Sequence, residues 1–333
     1  MRKKYCLGMY LLVLICGRLH AQVDPHFSQY YIYPSWLNPA LTGAFDGAYR
    51  VSGIYRSQWG NLATPFTTSG VSGEFTTEKN INAGVSLLRQ TAGDAGYSYT
   101  TAYGNVAYTG VRFGKEGMHR LHLGLQFGLM QRRFDRSKLT FGDQWNTITG
   151  YNPGSVSAAT LTRTSAGSFD AGAGAMYFDA TPDKKANVFA GFSVSHMNGP
   201  SDQFSSDAKA KIPVRYTLHG GVRFNLDEAW SLLPQLLYSR QGNAAEKMTG
   251  VYAQYKTSDN ITVMGGVHYR WNDAIAPYIG FTHKGWILGA CYDVNRSDLG
   301  KVAGKANSFE ITLSFIGRKK ITTPQLDFVC PGL

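Results

Sequence analysis

The sequence predicts an all-β protein, a transmembrane antiparallel β-barrel of about fourteen strands that follows a cleaved signal peptide. Three observations lead to this prediction. A secretory signal opens the chain, period-2 alternation recurs in segment after segment, and no later apolar run is long enough for a membrane helix. The composition agrees, because 38 glycines, 20 tyrosines and 18 phenylalanines accompany a charged fraction of only 17%.

Residues 1–21 have the three parts of a secretory signal. Basic residues at positions 2–4 form the n-region, residues 7–16 form the apolar core, and Ala21 precedes the expected cut. Removing the signal takes away four basic residues and no acidic ones, which lowers the formal net charge from +11 to +7. The signal leads us to expect an exported protein. The mild excess of positive charge that remains does not indicate nucleic-acid binding, so no nucleic-acid partner is expected.

The alternation is clearest in one central segment. Every odd position from Leu121 to Leu129 is apolar, and the even positions from Arg120 to Gly128 are polar or glycine. A soluble β-sandwich also alternates. Aromatic residues at the ends of apolar stripes, and an opposite face that is polar along most of its length, favour a membrane barrel with a water-facing lumen.

Fourteen strands are predicted from this alternation. Their ranges are 47–59, 65–76, 81–91, 97–113, 119–134, 166–178, 187–197, 214–225, 230–240, 247–257, 261–271, 275–283, 286–293 and 307–317. An even number places both termini on the periplasmic side, so the long links 135–165, 198–213 and 294–306 fall on the outer side. Pro234 and Pro277 weaken the two strands that contain them, because proline cannot donate to a ladder.

Two segments lie outside the predicted barrel, which spans residues 47–317. Residues 22–46, which we call the N-terminal lead, are predicted to be extended and are rich in aromatic side chains; residues 318–333 form a periplasmic tail. The Asn38-Pro39 step favours a turn that seats the lead before the first strand. A lead that folds into the lumen as a plug, or docks on a partner, is the alternative.

Three motifs near the N-terminus resemble one family. The first contains Asp24, Pro25, Phe27, Ser28 and Gln29, the second Asn38, Pro39 and Ala40, and the third Tyr55, Arg56, Gln58 and Trp59. With the loop element Phe141-Gly142-Asp143-Gln144, they resemble the PorP/SprF family of outer-membrane proteins in the type IX secretion and gliding motility machinery of Bacteroidetes. Gly60 departs from the pattern, since a proline often follows the Gln-Trp pair, and the subgroup stays open.

The resemblance implies a non-enzymatic part in protein secretion at the outer membrane. Family members are associated with export of proteins that carry a C-terminal sorting domain, or with one large surface adhesin. The resemblance also implies contact with a peptidoglycan-binding periplasmic lipoprotein and, through it, with the ring and motor of the secretion machine. The main alternative is a solute channel, either a porin or a fatty-acid-type transporter.

Six residues are predicted to contact partner proteins. They are Tyr30, Tyr31, Tyr33 and Trp36 in the lead, and Lys319 and Lys320 in the tail. Outer-membrane lipid is the other expected partner, around the outside of the barrel.

Catalytic and metal sites are not predicted. The segment 70–74 misses a G-x-S-x-G elbow by one residue, and His119 and His122 lie on opposite faces of a strand. Asp135 and Asp143, in the longest outer loop, match no calcium-loop spacing. We therefore predict no catalytic residue, no metal and no cofactor.

Polar residues on the predicted lumen face could form a polar network inside the barrel or a selectivity filter. They are Arg215, His219, Arg223, His268 and Arg270. Packing among water and carboxylates is the simpler interpretation. Two cysteines remain after the signal is removed, and Cys291 and Cys330 either pair in an oxidising periplasm or stay as thiols.

Overall fold

Fourteen antiparallel strands close into one barrel in a computed structural model of the chain, as the alternation predicts. The structure describes residues 24–60, 64–77, 79–93, 96–152, 154–155, 157, 163–201, 210–258, 260–297 and 307–318. The predicted signal peptide and the tail beyond residue 318 therefore lie outside the described residues. Within the described residues, no helix has the length and apolar character needed to cross a membrane.

The strands are numbered in chain order. Their bounds are β1 (Tyr49–Gln58), β2 (Phe66–Phe75), β3 (Ile81–Ala92), β4 (Tyr97–Phe113), β5 (His119–Arg133), β6 (Trp145–Asn146), β7 (Gly150–Tyr151), β8 (Ser165–Asp179), β9 (Ala186–Ser195), β10 (Arg215–Asn225), β11 (Trp230–Gln241), β12 (Ala244–Ser258), β13 (Ile261–Arg270), β14 (Ala274–His283), β15 (Trp286–Asn295) and β16 (Ser308–Gly317). Strands β6 and β7 form a separate hairpin, and the others form the barrel. Each predicted boundary of a barrel strand falls within three residues of the observed one.

Within the part of the chain that the structure describes, helical structure is confined to short turns. One α-helix, α1, spans Pro34–Leu37, and the 3₁₀ turns span Pro39–Leu41, Lys115–Gly117, Arg136–Lys138 and Gly142–Gln144.

Both prolines that weaken the sequence prediction do lie inside strands. Pro234 pairs with Val251 on one side, and Pro277 pairs with Val267. On the opposite side of each proline the register has a gap, between β10 and β11 and between β14 and β15. Each proline thus interrupts one ladder where its missing N–H would have donated, while the strand continues.

The two faces of the barrel invert the arrangement of a soluble protein. Outward-facing Leu125 and Leu129 are 61% and 63% exposed, whereas the inward-facing His122 and Gln126 of the same strand are buried. Apolar side chains on the outside and polar ones inside are the pattern of a barrel surrounded by lipid.

The two ends of the barrel differ in loop length. At one end the links 134–164, 196–214 and 296–307 are long, whereas at the other end no link between consecutive barrel strands exceeds six residues. Outer-membrane barrels have short periplasmic turns and longer outer loops. We therefore call the first end the outer end and the second the periplasmic end.

Candidate functional site: the lumen and the N-terminal lead

From Asp24 onward, the N-terminal lead lies inside the barrel and runs through its lumen from one end to the other. Asp24 contacts His196, which follows the outer end of β9, at 2.8 Å. Near the periplasmic end of β2, Glu74 accepts a hydrogen bond from the Gly43 N–H at 2.9 Å. Between them, every residue from 27 to 45 is buried except Trp36, which is partly buried. The lumen is therefore occupied by the protein's own chain.

The prediction that the lead is extended is wrong over its central part. Helix α1 begins at Pro34, whose fixed φ suits the first helical position. The helix ends at Leu37, and the extended backbone of Asn38 leads directly into the 3₁₀ turn begun by Pro39. Two successive proline-initiated turns compact the lead enough to fit inside the barrel.

Ser28 lies at the centre of a buried ionic cluster that joins the lead to four strands. The Ser28 cluster consists of Ser28, Arg56, Arg270, Asp293 and Glu310. Arg56 lies 2.6 Å from Asp293 and 3.0 Å from Glu310, and Arg270 donates to Asp293 at 2.7 Å. The Ser28 hydroxyl donates to Asp293 at 2.8 Å and accepts from both guanidinium groups. Two guanidinium groups face two carboxylates, so the buried charges compensate one another.

Glu310 also holds the backbone of the lead. Its two carboxylate oxygens accept from the N–H groups of Ser28 and Gln29, at 2.9 Å and 2.7 Å. The Gln29 side chain accepts from the Thr312 hydroxyl at 2.8 Å. His268 Nδ1 lies 2.9 Å from the Ser28 carbonyl oxygen, which only accepts, so this nitrogen carries the proton and donates.

A second cluster holds the start of the lead at the outer end. Asp24 lies 2.8 Å from His196 and 3.1 Å from Arg215, and it accepts from the Tyr99 hydroxyl at 3.2 Å. The other ring nitrogen of His196 lies 2.9 Å from Asp170. Burial lowers the pKa of His196, but the two carboxylates outweigh it and raise the pKa to about 9. Burial raises the pKa of Asp24, yet His196 and Arg215 outweigh it and hold this pKa well below its usual range.

Asn38 shapes the turn at mid-lumen. Its Oδ1 accepts from the Ala40 N–H at 2.9 Å, and its Nδ2 donates to His219 at 3.0 Å. A Cβ on Gly174 would lie 2.0 Å from Asn38 Oδ1, and one on Gly124 would lie 2.2 Å from the Ala40 nitrogen. These glycines make room for the turn. The Asn38-Pro39 step thus forms a turn as expected, but inside the lumen, as in the plug alternative.

The end of the lead is tied at the periplasmic end. Glu74 accepts from the Gly43 N–H at 2.9 Å and pairs with Arg50 at 3.0 Å. Arg50 in turn packs over the Phe45 ring, 4.7 Å from its centroid. Gly43 has a φ of +74°, and a Cβ there would lie 2.3 Å from the Asn82 side chain, so only glycine suits this position. The lead is therefore bound to the barrel wall at both ends and in between.

Comparison with known proteins decides the family. The family model described as the type IX secretion system membrane protein PorP/SprF matches residues 19–315. The chain belongs to this family. It is a type IX secretion membrane protein of the outer membrane, as its N-terminal motifs indicate. No curated protein matches the sequence.

Solved structures with a similar fold are also membrane barrels. The crystal structure of the toluene transporter TbuX of Ralstonia pickettii is 11% identical, with 86% of this chain and 94% of that chain covered and a TM-score of 0.53. The monoaromatic hydrocarbon channel CymD is 10% identical, with 87% and 94% covered and a TM-score of 0.50. At such identities the likeness shows the barrel fold alone.

The third motif of this PorP/SprF protein divides between the two faces of β1. Tyr55 points outward and is 43% exposed, whereas Arg56 points inward to the Ser28 cluster. Gln58 lies on the inner face, with its Nε2 3.4 Å from His26 Nε2. Trp59 follows the last residue of the strand and has a φ of 58°. Two of these four residues therefore meet the lead directly.

The lead residues predicted to contact partners lie inside the lumen, where the tyrosines contact the barrel wall. They are Tyr30, Tyr31 and Tyr33, which are buried, and Trp36, which is partly buried. The Tyr30 hydroxyl donates to Gln235 at 3.0 Å, and the Tyr33 hydroxyl donates to the Leu87 carbonyl at 2.9 Å. Partner contact by these residues stays a prediction, and it requires the lead to leave the lumen. Lys319 and Lys320 lie outside the described residues, and their role also stays a prediction.

The polar network predicted on the lumen face is present, and the lead is its main partner. His219 contacts Asn38, His268 contacts Ser28, and Arg215 and Arg270 contact Asp24 and Ser28. Arg223 instead donates to Gln254 at 2.9 Å.

The remaining candidate groups have local partners. Asp135 accepts from Ser137, and Asp143 accepts from the Ser157 hydroxyl at 2.8 Å. Among the described residues, no three His, Cys, Asp or Glu side chains come together to hold a metal ion. Cys291 is buried, with its sulfur 3.8 Å from Asp293, whereas Cys330 lies outside the described residues.

The acids that bind the lead were not predicted from the sequence. Asp293 and Glu310 lie 265 and 282 residues from Ser28 along the chain, and the fold brings them to it. The available signal was the inward position of Glu310 in the alternation of the last strand.

Proposed function

We propose that this PorP/SprF protein is a binding and anchoring component of type IX secretion, with no catalytic step. It holds a secreted protein or a large surface adhesin with a C-terminal sorting domain at the outer end of its barrel. The observation that carries this proposal is the lead, because a lumen filled by buried chain and tied by ion pairs at both ends suits an anchor better than an open passage.

An exposed apolar hairpin at the outer end supports a docking role. Strands β6 and β7 lie in the long loop between β5 and β8, outside the barrel wall. Trp145, Ile148 and Tyr151 on this hairpin are 61%, 91% and 38% exposed. Exposed apolar clusters away from the lipid-facing strands mark interaction sites. We therefore assign the secreted or surface-retained partner to this hairpin.

Coupling to the machine belongs to the periplasmic end in this proposal. The last strand ends there at Gly317. We assign the tail 318–333 to contact with the peptidoglycan-binding lipoprotein and, through it, with the ring and motor. Replacing both Lys319 and Lys320 with alanine tests this contact. Loss of co-purified lipoprotein is expected, and unchanged co-purification would overturn the assignment.

Comparison of surface and secreted proteomes with and without the gene tests the whole proposal. Broad loss of proteins with sorting domains would identify a general component of the machine. Loss of one large adhesin would identify a dedicated anchor. Unchanged proteomes together with altered solute uptake would overturn the proposal and support a solute channel.

Substitution of the hairpin tests the docking surface itself. The triple variant Trp145→Ala, Ile148→Ser, Tyr151→Ala is expected to release the partner into the medium while the barrel still resists detergent at room temperature. Leu226→Ser is the matched control, because Leu226 is 64% exposed in a turn at the periplasmic end. Equal partner retention in both variants would exclude the hairpin as the docking surface.

A further inference from the structure

Glu246, on β12, differs from the other lumen carboxylates in having no cation bound to it within the described residues. Elsewhere in the lumen, carboxylates and cations are paired: Glu74 with Arg50, Glu310 with Arg56, Asp293 with Arg56 and Arg270, Asp24 with Arg215, and Asp170 with His196. Oε1 of Glu246 is buried and accepts no hydrogen bond. A buried carboxylate oxygen without a donor is unfavourable, so this position points to a missing partner.

Glu246 lines a cleft at the outer end of the barrel. The cleft lies between the start of the lead and strands β10 to β12, and Gln241 and Ala244, at the outer ends of two of these strands, are part of its wall. It has two adjoining lobes of about 350 and 380 Å³, including space open to solvent. Glu246 belongs to both lobes, so a group that enters from outside can reach its carboxylate.

The two lobes share a polar wall, which includes His26, Arg215 and Glu246, and Asp24 adds to it in the first lobe. The second lobe also has an apolar wall, which includes Phe27, Tyr30, Trp36, Leu37 and Leu237. A ligand that fills both lobes therefore needs an apolar stem and a polar end.

The charges of the cleft favour a cation at that polar end. Arg215 is already bound, 3.1 Å from Asp24 and 3.1 Å from the Trp36 carbonyl oxygen. Burial, with Arg270 and Arg56 nearby, lowers the pKa of His26 well below its usual value, so this imidazole is neutral. Asp24 is paired with Arg215, so Glu246 is the carboxyl group of the cleft lining that is left without a cation. A cation that enters the cleft meets this carboxyl group where water is partly excluded, and there the attraction between opposite charges is strongest.

We propose that this cleft binds one lysine or arginine side chain of the partner held at the outer end. The aliphatic stem packs against the apolar wall of the second lobe, and the ammonium or guanidinium group pairs with Glu246. Long basic side chains bury their stems along apolar surface in this way while the charged end finds a carboxylate. In naming a surface partner as the source of the side chain, the inference rests on the proposed function.

Binding of two small probes to the purified full-length barrel tests the site. N-acetyl-lysine N-methylamide supplies the stem and charge, and N-acetyl-norleucine N-methylamide supplies a comparable stem alone. Saturation-transfer NMR is expected to show tighter binding of the lysine probe. Glu246→Gln is expected to weaken that binding at least tenfold, whereas Glu228→Gln, the same change in an exposed periplasmic turn, leaves it unchanged.

Three results would each overturn the inference: no saturable binding of the lysine probe at millimolar concentrations, equal binding of both probes, or unchanged binding to Glu246→Gln. The comparison of probes on the unaltered protein needs no variant, so it stands even if Glu246→Gln does not fold. The assay measures no secretion. A negative result therefore excludes the cleft as a site for a basic side chain. It does not bear on the proposed function, which the proteome comparison tests separately.

Discussion

Replacing Glu310 with glutamine should release the lead from the middle of the lumen. The change removes one negative charge from the Ser28 cluster and leaves Arg56 to share Asp293 with Arg270. The new amide group also replaces an oxygen that accepts from a backbone N–H of the lead. Both partners of the Arg56–Glu310 pair are fully buried, so solvent does not screen the loss. Breaking a buried pair in this way costs about 3–5 kcal/mol.

That cost converts to a measurable change in protection of the lead. Because each 1.4 kcal/mol is a factor of ten, docking of the lead should weaken roughly 100- to 4,000-fold. Hydrogen exchange of the purified barrel, followed on a peptide covering residues 24–33, should show this acceleration at Ser28 and Gln29 while the strands stay protected. Glu228→Gln is the control. Protection within about twofold of the unaltered protein would refute the conclusion that the cluster holds the lead.

Three further predictions concern the same lead. Gly174→Ala should weaken docking by about 1–3 kcal/mol in the exchange assay, because its Cβ would lie 2.0 Å from a lead oxygen; Gly73→Ala, with open space around it, should not. Deleting residues 24–46 should produce conductance steps in a planar bilayer where the full-length barrel is nearly silent, and continued silence would show that the lead does not block the lumen. The charge on His196 stabilises the docked lead fully below pH 6.5, and this contribution is lost as pH rises through about 9. Protection at the start of the lead should therefore fall between about pH 7 and 10, and His196→Gln should abolish that fall.

The sequence predicts the barrel wall well because neighbouring strands are close along the chain. Period-2 alternation locates each strand, and a short link then determines its partner. The same reasoning can locate one ion pair from the sequence, because Arg50 and Glu74 face each other across the β1–β2 hairpin.

The contacts of the lead could not be predicted in the same way. Arg56 faces Glu310 because β1 pairs with β16, and that register depends on closure of the whole barrel over 254 residues. Asp293 lies on β15 and Arg270 on β13, so the charged residues of the Ser28 cluster are far apart in the sequence. The aromatic lead has no periodicity to indicate where its side chains point. Its tyrosines therefore suggested partner contacts, whereas the structure buries them against the wall.

The occupied lumen changes what a polar lumen face implies about function. A ring of arginine and histidine facing inward is expected of a channel that selects its solute. In this protein those groups already have partners, because His219, His268, Arg215 and Arg270 bind the lead rather than face an open passage. The inward polarity that would have supported a channel is thus explained by intramolecular docking. What remains for recognition are the surfaces that the lead leaves open at the outer end, where the Glu246 cleft and the β6–β7 hairpin lie.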